Sequence, residues 1–224
     1  MKINKFLTVV DYGSKKIRLS IFDKNHKKIY STYENQISDQ NAETKSYKIN
    51  EIIRKAEKNI SDHIEEMVVL YDDPKVTAID LSIKKEFDQK IIVDENILLL
   101  VTEAKKLLQN YHDNLKIMHT IINKFLIDDK EYYQNLDKKL LGKKVIIDFK
   151  FVCIPNNKYL FIEDLFKKNS VQILNLFCTS ITKAITYQKY FTNKESIAFL
   201  DIGWERSTLT YFVNNQIQYF KNIK

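Results

Sequence analysis

Two of the three glycines in this 224-residue chain occur in the same local pattern, near opposite ends of the sequence. In each case a short apolar run ends in Asp-x-Gly, and a second apolar run follows. The first copy contains Asp11 and Gly13, and the second contains Asp201 and Gly203. The pattern predicts a strand, a tight turn and an antiparallel return strand, occurring twice. Glycine in such a turn lets the backbone adopt a positive φ and lets a ligand approach closely.

A hairpin of this kind has a chemistry that suits phosphate. Successive backbone N–H groups in the turn can point at an anion, and an aspartate at the strand end is placed to hold hydrated Mg²⁺. One Asp-Gly turn between apolar runs is usually only a hairpin. The second copy in a glycine-poor chain favours a nucleotide whose phosphates are clamped between two similar domains. The candidate metal ligands are then Asp11 and Asp201.

The charge of the chain does not indicate a nucleic-acid partner. The net charge is +7, from 36 basic and 29 acidic residues, but the lysines are interspersed with acids throughout. No basic cluster alternates with aromatic residues as nucleic-acid binders require. The two cysteines and four histidines show no metal or redox spacing, which suits a reducing cytosol. The aliphatic run 97–101 is too short to cross a bilayer.

The order of predicted elements gives an α/β fold with a mixed sheet, in which a β-β-β-α-β unit opens the chain. Its helix is expected to begin at an Asn50 cap, before apolar residues at a 3.6-residue period. We expect a first domain over residues 1–83 and 147–191, and an inserted α+β subdomain with its own core over 84–146. Residues 192–224 are expected to start a second domain, so the chain reads as the front half of a longer protein.

The sequence resembles the superfamily of actin, sugar kinases and DnaK-type chaperones, through the two Asp-x-Gly hairpins. The segment between them resembles the FtsA family of bacterial cell-division proteins. A strand with a central His119 leads there to the Ile127-Asp128 turn, and Gly142 precedes another strand. The resemblance implies an actin-like, ribonuclease-H-like nucleotide clamp with an inserted subdomain.

The resemblance also implies ATP and Mg²⁺ as cofactors. The implied nucleotide-binding residues are Asp11, Gly13, Ser14, Lys15, Lys16, Asp201, Gly203, Arg206 and Ser207. The second loop departs from the family, because Trp204 and Glu205 stand where two glycines are usual. A carboxylate beside phosphate costs about 1 kcal/mol at a wet site, and Arg206 can offset this by pairing with phosphate. The loop is equally consistent with a degenerate, solvated turn.

For function, the resemblance implies a scaffold and at most a weak ATPase. FtsA-like proteins link FtsZ filaments to the cytoplasmic face of the inner membrane at the division site and recruit later division proteins. Self-association would use the inserted subdomain, and membrane attachment would use segments outside this chain. The alternatives are a pilus-assembly-type actin-like ATPase and a small-molecule kinase of the same superfamily. A kinase needs a catalytic carboxylate beside a substrate cleft, and none stands out.

Overall fold

The computed structural model describes residues 6–36, 41–87, 91–132, 140–191 and 193–223. Within them the helices are α1 (Ala42–Ile60), α2 (Asp94–Tyr111), α3 (Asn156–Lys167) and α4 (Thr179–Gln188). The strands are β1 (Phe6–Tyr12), β2 (Lys16–Asp23), β3 (Lys28–Asn35), β4 (Glu66–Tyr71), β5 (Thr77–Glu86), β6 (Ile91–Ile92), β7 (Leu115–Ile127), β8 (Lys130–Tyr132), β9 (Leu140–Leu141), β10 (Lys144–Pro155), β11 (Gln172–Phe177), β12 (Ser196–Ile202), β13 (Ser207–Val213) and β14 (Gln216–Ile223).

The first Asp-x-Gly hairpin, β1 and β2, lies in the middle of a five-stranded sheet with the order β11-β4-β1-β2-β3. Strands β1, β2 and β3 form an antiparallel meander, whereas β4 is parallel to β1 and β11 is parallel to β4. Alternate residues of a strand share one face, and Ile17, Leu19 and Ile21 are fully buried on that of β2. The predicted hairpin and the mixed sheet are therefore confirmed.

Helix α1 packs against this sheet, but its cap lies nine residues earlier than the sequence pattern indicated. The cap is Asn41, whose side-chain oxygen accepts a hydrogen bond from the Thr44 N–H at 2.9 Å. The prediction that Asn50 caps the helix is wrong. The first two turns are polar and lie over no core, so the apolar period becomes visible only from Ile49, the first of the buried residues of α1.

A second sheet, with the order β5-β10-β7-β8, is antiparallel throughout. Helix α2 covers it through Leu100, Ala104 and Leu108, which share a core cluster with Val145 and Ile147. This core is separate from the one beneath α1. The second sheet and α2 therefore bury their apolar surface against each other, as a subdomain with its own core does.

The second sheet extends beyond the segment 84–146 on both sides. Strand β5 begins at Thr77, and β10 continues to Pro155. The two strands pair over ten consecutive residues, so they tie the insert to the rest of the chain. The division into domains at residues 84 and 146, and again at 192, stays a prediction.

The second Asp-x-Gly hairpin, β12 and β13, forms an antiparallel sheet with β14. Phe212 and Ile217 of this sheet belong to the same buried cluster as the five-stranded sheet. Helix α4 packs against β12 and β13 and adds Ile181 and Ala184 to that cluster. The predicted second hairpin is confirmed, and α4 fixes it relative to the first.

No helix in the described part of the chain has both the length and the apolar character needed to cross a membrane. The cysteines, Cys153 and Cys178, are free and buried. Burial raises the pKa of the Cys153 thiol to about 12, so it stays protonated at neutral pH.

Candidate functional site

The two Asp-x-Gly hairpins have the same backbone geometry at their turns. The Gly13 N–H donates to the Lys16 carbonyl at 3.1 Å, and the Gly203 N–H donates to the Arg206 carbonyl at 2.8 Å. The two aspartates therefore occupy equivalent positions in their hairpins. Asp11 pairs with Arg18, and Asp201 pairs with Thr208. The sequence repeat is thus a structural repeat.

The glycines are needed for space and not for a left-handed backbone. Neither adopts a positive φ, so the expectation of such a conformation is wrong. A Cβ on Gly13 would lie 3.0 Å from the Lys16 carbonyl oxygen, and a Cβ on Gly203 would lie 2.8 Å from the Arg206 carbonyl oxygen. The hydrogen bond that closes each turn brings this carbonyl over the glycine, so an added Cβ would press against it, more severely at Gly203 than at Gly13.

Both hairpins open onto one cleft with a volume of about 480 Å³. Eight of the nine predicted binding residues line it, namely Asp11, Gly13, Ser14, Lys15, Lys16, Asp201, Gly203 and Arg206. Ser207 does not line it, because alternation along β13 puts its neighbour Thr208 there instead. The structure thus brings the predicted residues together, and their role in binding stays a prediction.

Asp11 is held by a cation of its own hairpin. The Arg18 guanidinium donates from Nη1 to Asp11 Oδ2 at 2.9 Å, because the two residues are direct partners on β1 and β2. Burial raises the pKa of Asp11 above its usual value, while Arg18 and Lys183 oppose this rise and Asp72 adds to it. The carboxylate therefore sits in a partly dry environment among charged groups.

Asp201 is held by a cation from helix α4. The Lys183 ammonium lies 3.2 Å from Oδ1 and 3.0 Å from Oδ2, so it contacts both carboxylate oxygens. Lys183 also interacts electrostatically with Asp11. One ammonium therefore lies within the influence of both aspartates and ties α4 to the second hairpin.

The two loops touch each other across the cleft. The ammonium of Lys15 lies 3.5 Å from the centre of the Trp204 ring, a cation–π contact. Trp204 remains 70 % exposed despite this contact, so the bridge stands at the surface of the cleft. Such a contact contributes about 0.5–1 kcal/mol at an exposed site. The bridge is weak enough for a ligand to displace.

Behind Trp204, the second loop presents polar atoms that have no protein partner. Arg206 Nη1 is buried and makes no hydrogen bond among the described residues, and the same holds for Thr208 Oγ1. Glu205 lies between them and the loop tip and is exposed. A buried donor without a partner costs about 1–3 kcal/mol, so the Arg206 side chain would gain a hydrogen bond by turning towards a phosphate in the cleft.

The floor of the cleft is the start of α4, where the side chain of Asp72 replaces an ordinary cap. One Asp72 oxygen accepts from the Ser180 N–H at 3.2 Å and from the Cys178 thiol at 3.0 Å. His119 Nε2, on β7, accepts from the Cys178 N–H at 2.8 Å. Burial lowers the pKa of His119 to about 4, so the ring is neutral at physiological pH. The second sheet and the cleft therefore share this helix terminus.

The charges of the cleft suit an anion. Its described lining contains five basic and four acidic side chains, the bases being Lys15, Lys16, Arg18, Lys183 and Arg206. The N–H groups of Ser14 and Lys15 also make no hydrogen bond within the described residues, so they can donate to a ligand. The residues present thus fit the phosphates of a nucleotide.

The same residues do not fit a directly coordinated Mg²⁺. In the part of the chain that the structure describes, no three His, Cys, Asp or Glu side chains converge to hold a metal ion. Each candidate ligand already carries a protein cation, Arg18 on Asp11 and Lys183 on Asp201. A metal ion would have to displace both cations.

The binding-residue prediction left out Arg18, Asp72 and Lys183. The turn length could have identified Arg18, because a turn that pairs Tyr12 with Ile17 must pair Asp11 with Arg18. No local signal identifies Lys183 or Asp72. Lys183 reaches the cleft because α4 packs against the second hairpin. Asp72 reaches it because β4, which it follows, pairs with β1 of the first hairpin.

Comparison with solved structures supports this fold. The chain is similar to one from a PilM-PilN type IV pilus biogenesis complex, with a TM-score of 0.64 and 9 % identity over 97 % of this chain and 61 % of that one. A Bacteroides thetaiotaomicron protein with an actin-like ATPase fold and unknown function matches at 0.46, with 12 % identity and coverages of 98 % and 70 %. The ethanolamine utilization protein EutJ from Carboxydothermus hydrogenoformans matches at 0.48, with 8 % identity and coverages of 99 % and 52 %. Neither a protein-family model nor a curated protein matches the sequence.

The chain has the mixed α/β fold that the sequence predicted, and it shares this fold with the chain from the PilM-PilN complex. It spans 61 % of the length of that chain. At 9 % identity the likeness shows the fold alone.

Proposed function

We propose that this chain is the ATP-binding part of an actin-like assembly protein, with a structural role and at most weak ATPase activity. One observation carries the proposal: two hairpins of identical turn geometry, far apart in sequence, line a single cleft with an excess of basic side chains. A core or an interface does not require such a duplication, whereas an anion held between two lobes would use both turns.

Both backbone N–H groups and side-chain cations would bind the phosphates. Ser14 and Lys15 offer free N–H groups above Gly13, whose lack of a side chain keeps the turn tight. Arg206 offers a buried Nη1 without a partner. A phosphate between the loops would accept from both, and Lys15 would exchange the Trp204 ring for a phosphate oxygen.

Binding is tested directly with the 224-residue chain. ATP, ADP and adenosine are titrated into it by calorimetry, and the fluorescence of Trp204, the single tryptophan, is followed in parallel. We expect ATP and ADP to bind and adenosine to bind far more weakly, because phosphate carries the recognition. Equal binding of adenosine and ATP, or no binding of ATP, would contradict the proposal.

For the partner we propose two classes within this one function. The order of the sequence motifs supports an FtsA-like scaffold that links FtsZ to the cytoplasmic face of the inner membrane. The fold similarity to a PilM-PilN complex supports a pilus-assembly role. In both classes the inserted sheet would carry contacts between subunits. Purified FtsZ and a PilN-type peptide, each tested for ATP-dependent binding, separate the two classes.

A further inference from the structure

We infer that the cleft binds the phosphates of its nucleotide without a divalent cation, because Arg18 and Lys183 already neutralise the two aspartates that a metal ion would use. The inference rests on the proposed ATP-binding function and deepens it. It replaces the Mg²⁺ of the sequence-based expectation with two cations of the protein itself.

The first cation is built into the hairpin. Arg18 faces Asp11 across β1 and β2 by register, and Nη1 lies 2.9 Å from Asp11 Oδ2. A guanidinium carries five N–H donors in a planar fork. The Arg18 side chain is 56 % exposed, so the donors that do not face Asp11 remain accessible from the cleft. Arg18 can therefore hold the aspartate and a phosphate oxygen together.

The second cation comes from helix α4. The Lys183 ammonium contacts both oxygens of Asp201, at 3.2 and 3.0 Å. It also helps to lower the pKa of Asp11, against the effect of burial. A single ammonium thus contacts Asp201 and acts electrostatically on Asp11. Its side chain is 49 % exposed, so it can also reach a ligand in the cleft.

Mg²⁺ would gain little by displacing these groups. It gives up its own water reluctantly and is usually held by one or two carboxylates together with substrate phosphates. Here both carboxylates are engaged, and no third acidic or histidine ligand converges with them in the described chain. The phosphates meet ammonium and guanidinium groups first, and these form charge-assisted hydrogen bonds with phosphate oxygens.

The test compares nucleotide binding with and without Mg²⁺. ATP and inorganic tripolyphosphate are titrated into the 224-residue chain, once in EDTA and once in excess Mg²⁺, by calorimetry. We expect the two Kd values for ATP to agree within about threefold, which is less than 1 kcal/mol. Tripolyphosphate should behave in the same way, because the effect concerns the phosphates alone.

A pair of lysine variants sharpens the result. In Lys183→Ala, Asp201 loses its partner, so binding in EDTA should weaken about tenfold and Mg²⁺ should recover most of that loss. Lys189→Ala is the matched control, because Lys189 is exposed at the end of the same helix and outside the cleft. It should leave both Kd values unchanged. Circular dichroism of each variant confirms that it is folded.

Two results would overturn the inference. One leaves the proposed ATP-binding function standing, and the other removes it as well. If ATP binds the unaltered chain tenfold or more tightly in Mg²⁺ than in EDTA, the cleft uses a metal ion. The proposed ATP-binding function then stands and the inference alone is lost. If ATP binds in neither condition, the proposed function falls and the inference with it. The unaltered chain decides both cases even if Lys183→Ala does not fold.

Discussion

The ammonium of Lys15 lies 3.5 Å from the centre of the Trp204 ring, so the first loop rests on the second across the cleft. The tryptophan of the second loop is therefore in contact with the first loop. The contact keeps Lys15 away from the cleft interior. A phosphate ligand must compete with the Trp204 ring for this lysine.

Removing the ring should release Lys15 for the ligand. We expect Trp204→Ala to tighten ATP binding roughly two- to fivefold, which corresponds to the 0.5–1 kcal/mol of an exposed cation–π pair. Calorimetry gives the Kd, since this variant has no tryptophan. Tyr190→Ala, which removes an aromatic ring that is 77 % exposed and outside the cleft, is the control. Weaker binding in Trp204→Ala would mean that the ring contacts the ligand itself.

A branched side chain at the first turn should abolish nucleotide binding. In Gly13→Val the Cβ meets the Lys16 carbonyl oxygen at 3.0 Å, so the turn must open and the N–H groups that follow it should move. Loss of the calorimetric signal for ATP is the expected result. Lys24→Val in the β2–β3 turn, at the other end of β2, should bind normally. Retained binding by Gly13→Val would remove the first loop from the site.

The two glycines should differ in how much stability an added methyl group costs. Gly203→Ala places its Cβ 2.8 Å from a backbone carbonyl oxygen, closer than Gly13→Ala at 3.0 Å. The oxygen cannot retreat without lengthening the hydrogen bond that closes the turn. We expect a loss of about 1–3 kcal/mol for Gly203→Ala, in the range for overpacked sites, and a smaller loss for Gly13→Ala. Urea unfolding measures both, and the opposite order would contradict the steric account.

Replacing Glu205 by glycine removes an exposed carboxylate from the second loop of the cleft. We expect Glu205→Gly to leave ATP binding unchanged or to tighten it up to about tenfold, through about 1.4 kcal/mol of relieved repulsion. Glu195→Gly, an exposed acid outside the cleft, is the control for net charge. Weaker binding after Glu205→Gly would give this carboxylate a positive role, such as orienting Arg206.

His119 should make folding stability depend on pH. Its folded pKa is lowered by burial to about 4, from 6.5 when unfolded, so the unfolded chain takes up the proton first. The free energy of unfolding should therefore fall as the pH drops from about 6.5 towards 4, by up to about 3 kcal/mol. Above pH 7 His119 should contribute no pH dependence.

The carboxylates also titrate in this range, so the effect is read from variants. His119→Gln should flatten the pH profile of urea unfolding relative to the unaltered chain, whereas His112→Gln, at an exposed position, should not. Parallel profiles for all three proteins would show that His119 does not titrate on unfolding as its burial implies.

Much of the fold follows from local pattern. The alternation that buries Ile17, Leu19 and Ile21 is visible in the sequence, and so is the turn that joins β1 to β2. Helix α1 was placed too late because its first turns cover no core and its cap, Asn41, stands in a polar stretch. Apolar periodicity marks only the part of a helix that is buried.

The site residues could be predicted where they are close together in the sequence. The strand and turn of each hairpin fix Asp11 with Gly13 and Asp201 with Gly203. Lys183 was missed because it lies on the outer face of α4, eighteen residues from the aspartate it contacts. The positive φ assigned to the glycines was wrong because a carbonyl, and not the backbone torsion, excludes a side chain there.

The hydrogen bond between His119 and Cys178 has a mechanical consequence. Strand β7 continues from His119 to Ile127, roughly 27 Å at 3.4 Å per residue. Through this bond the second sheet reaches the first turn of α4, the helix that carries Lys183. A displacement of the far end of β7 would therefore shift the lysine that pairs with Asp201 in the cleft.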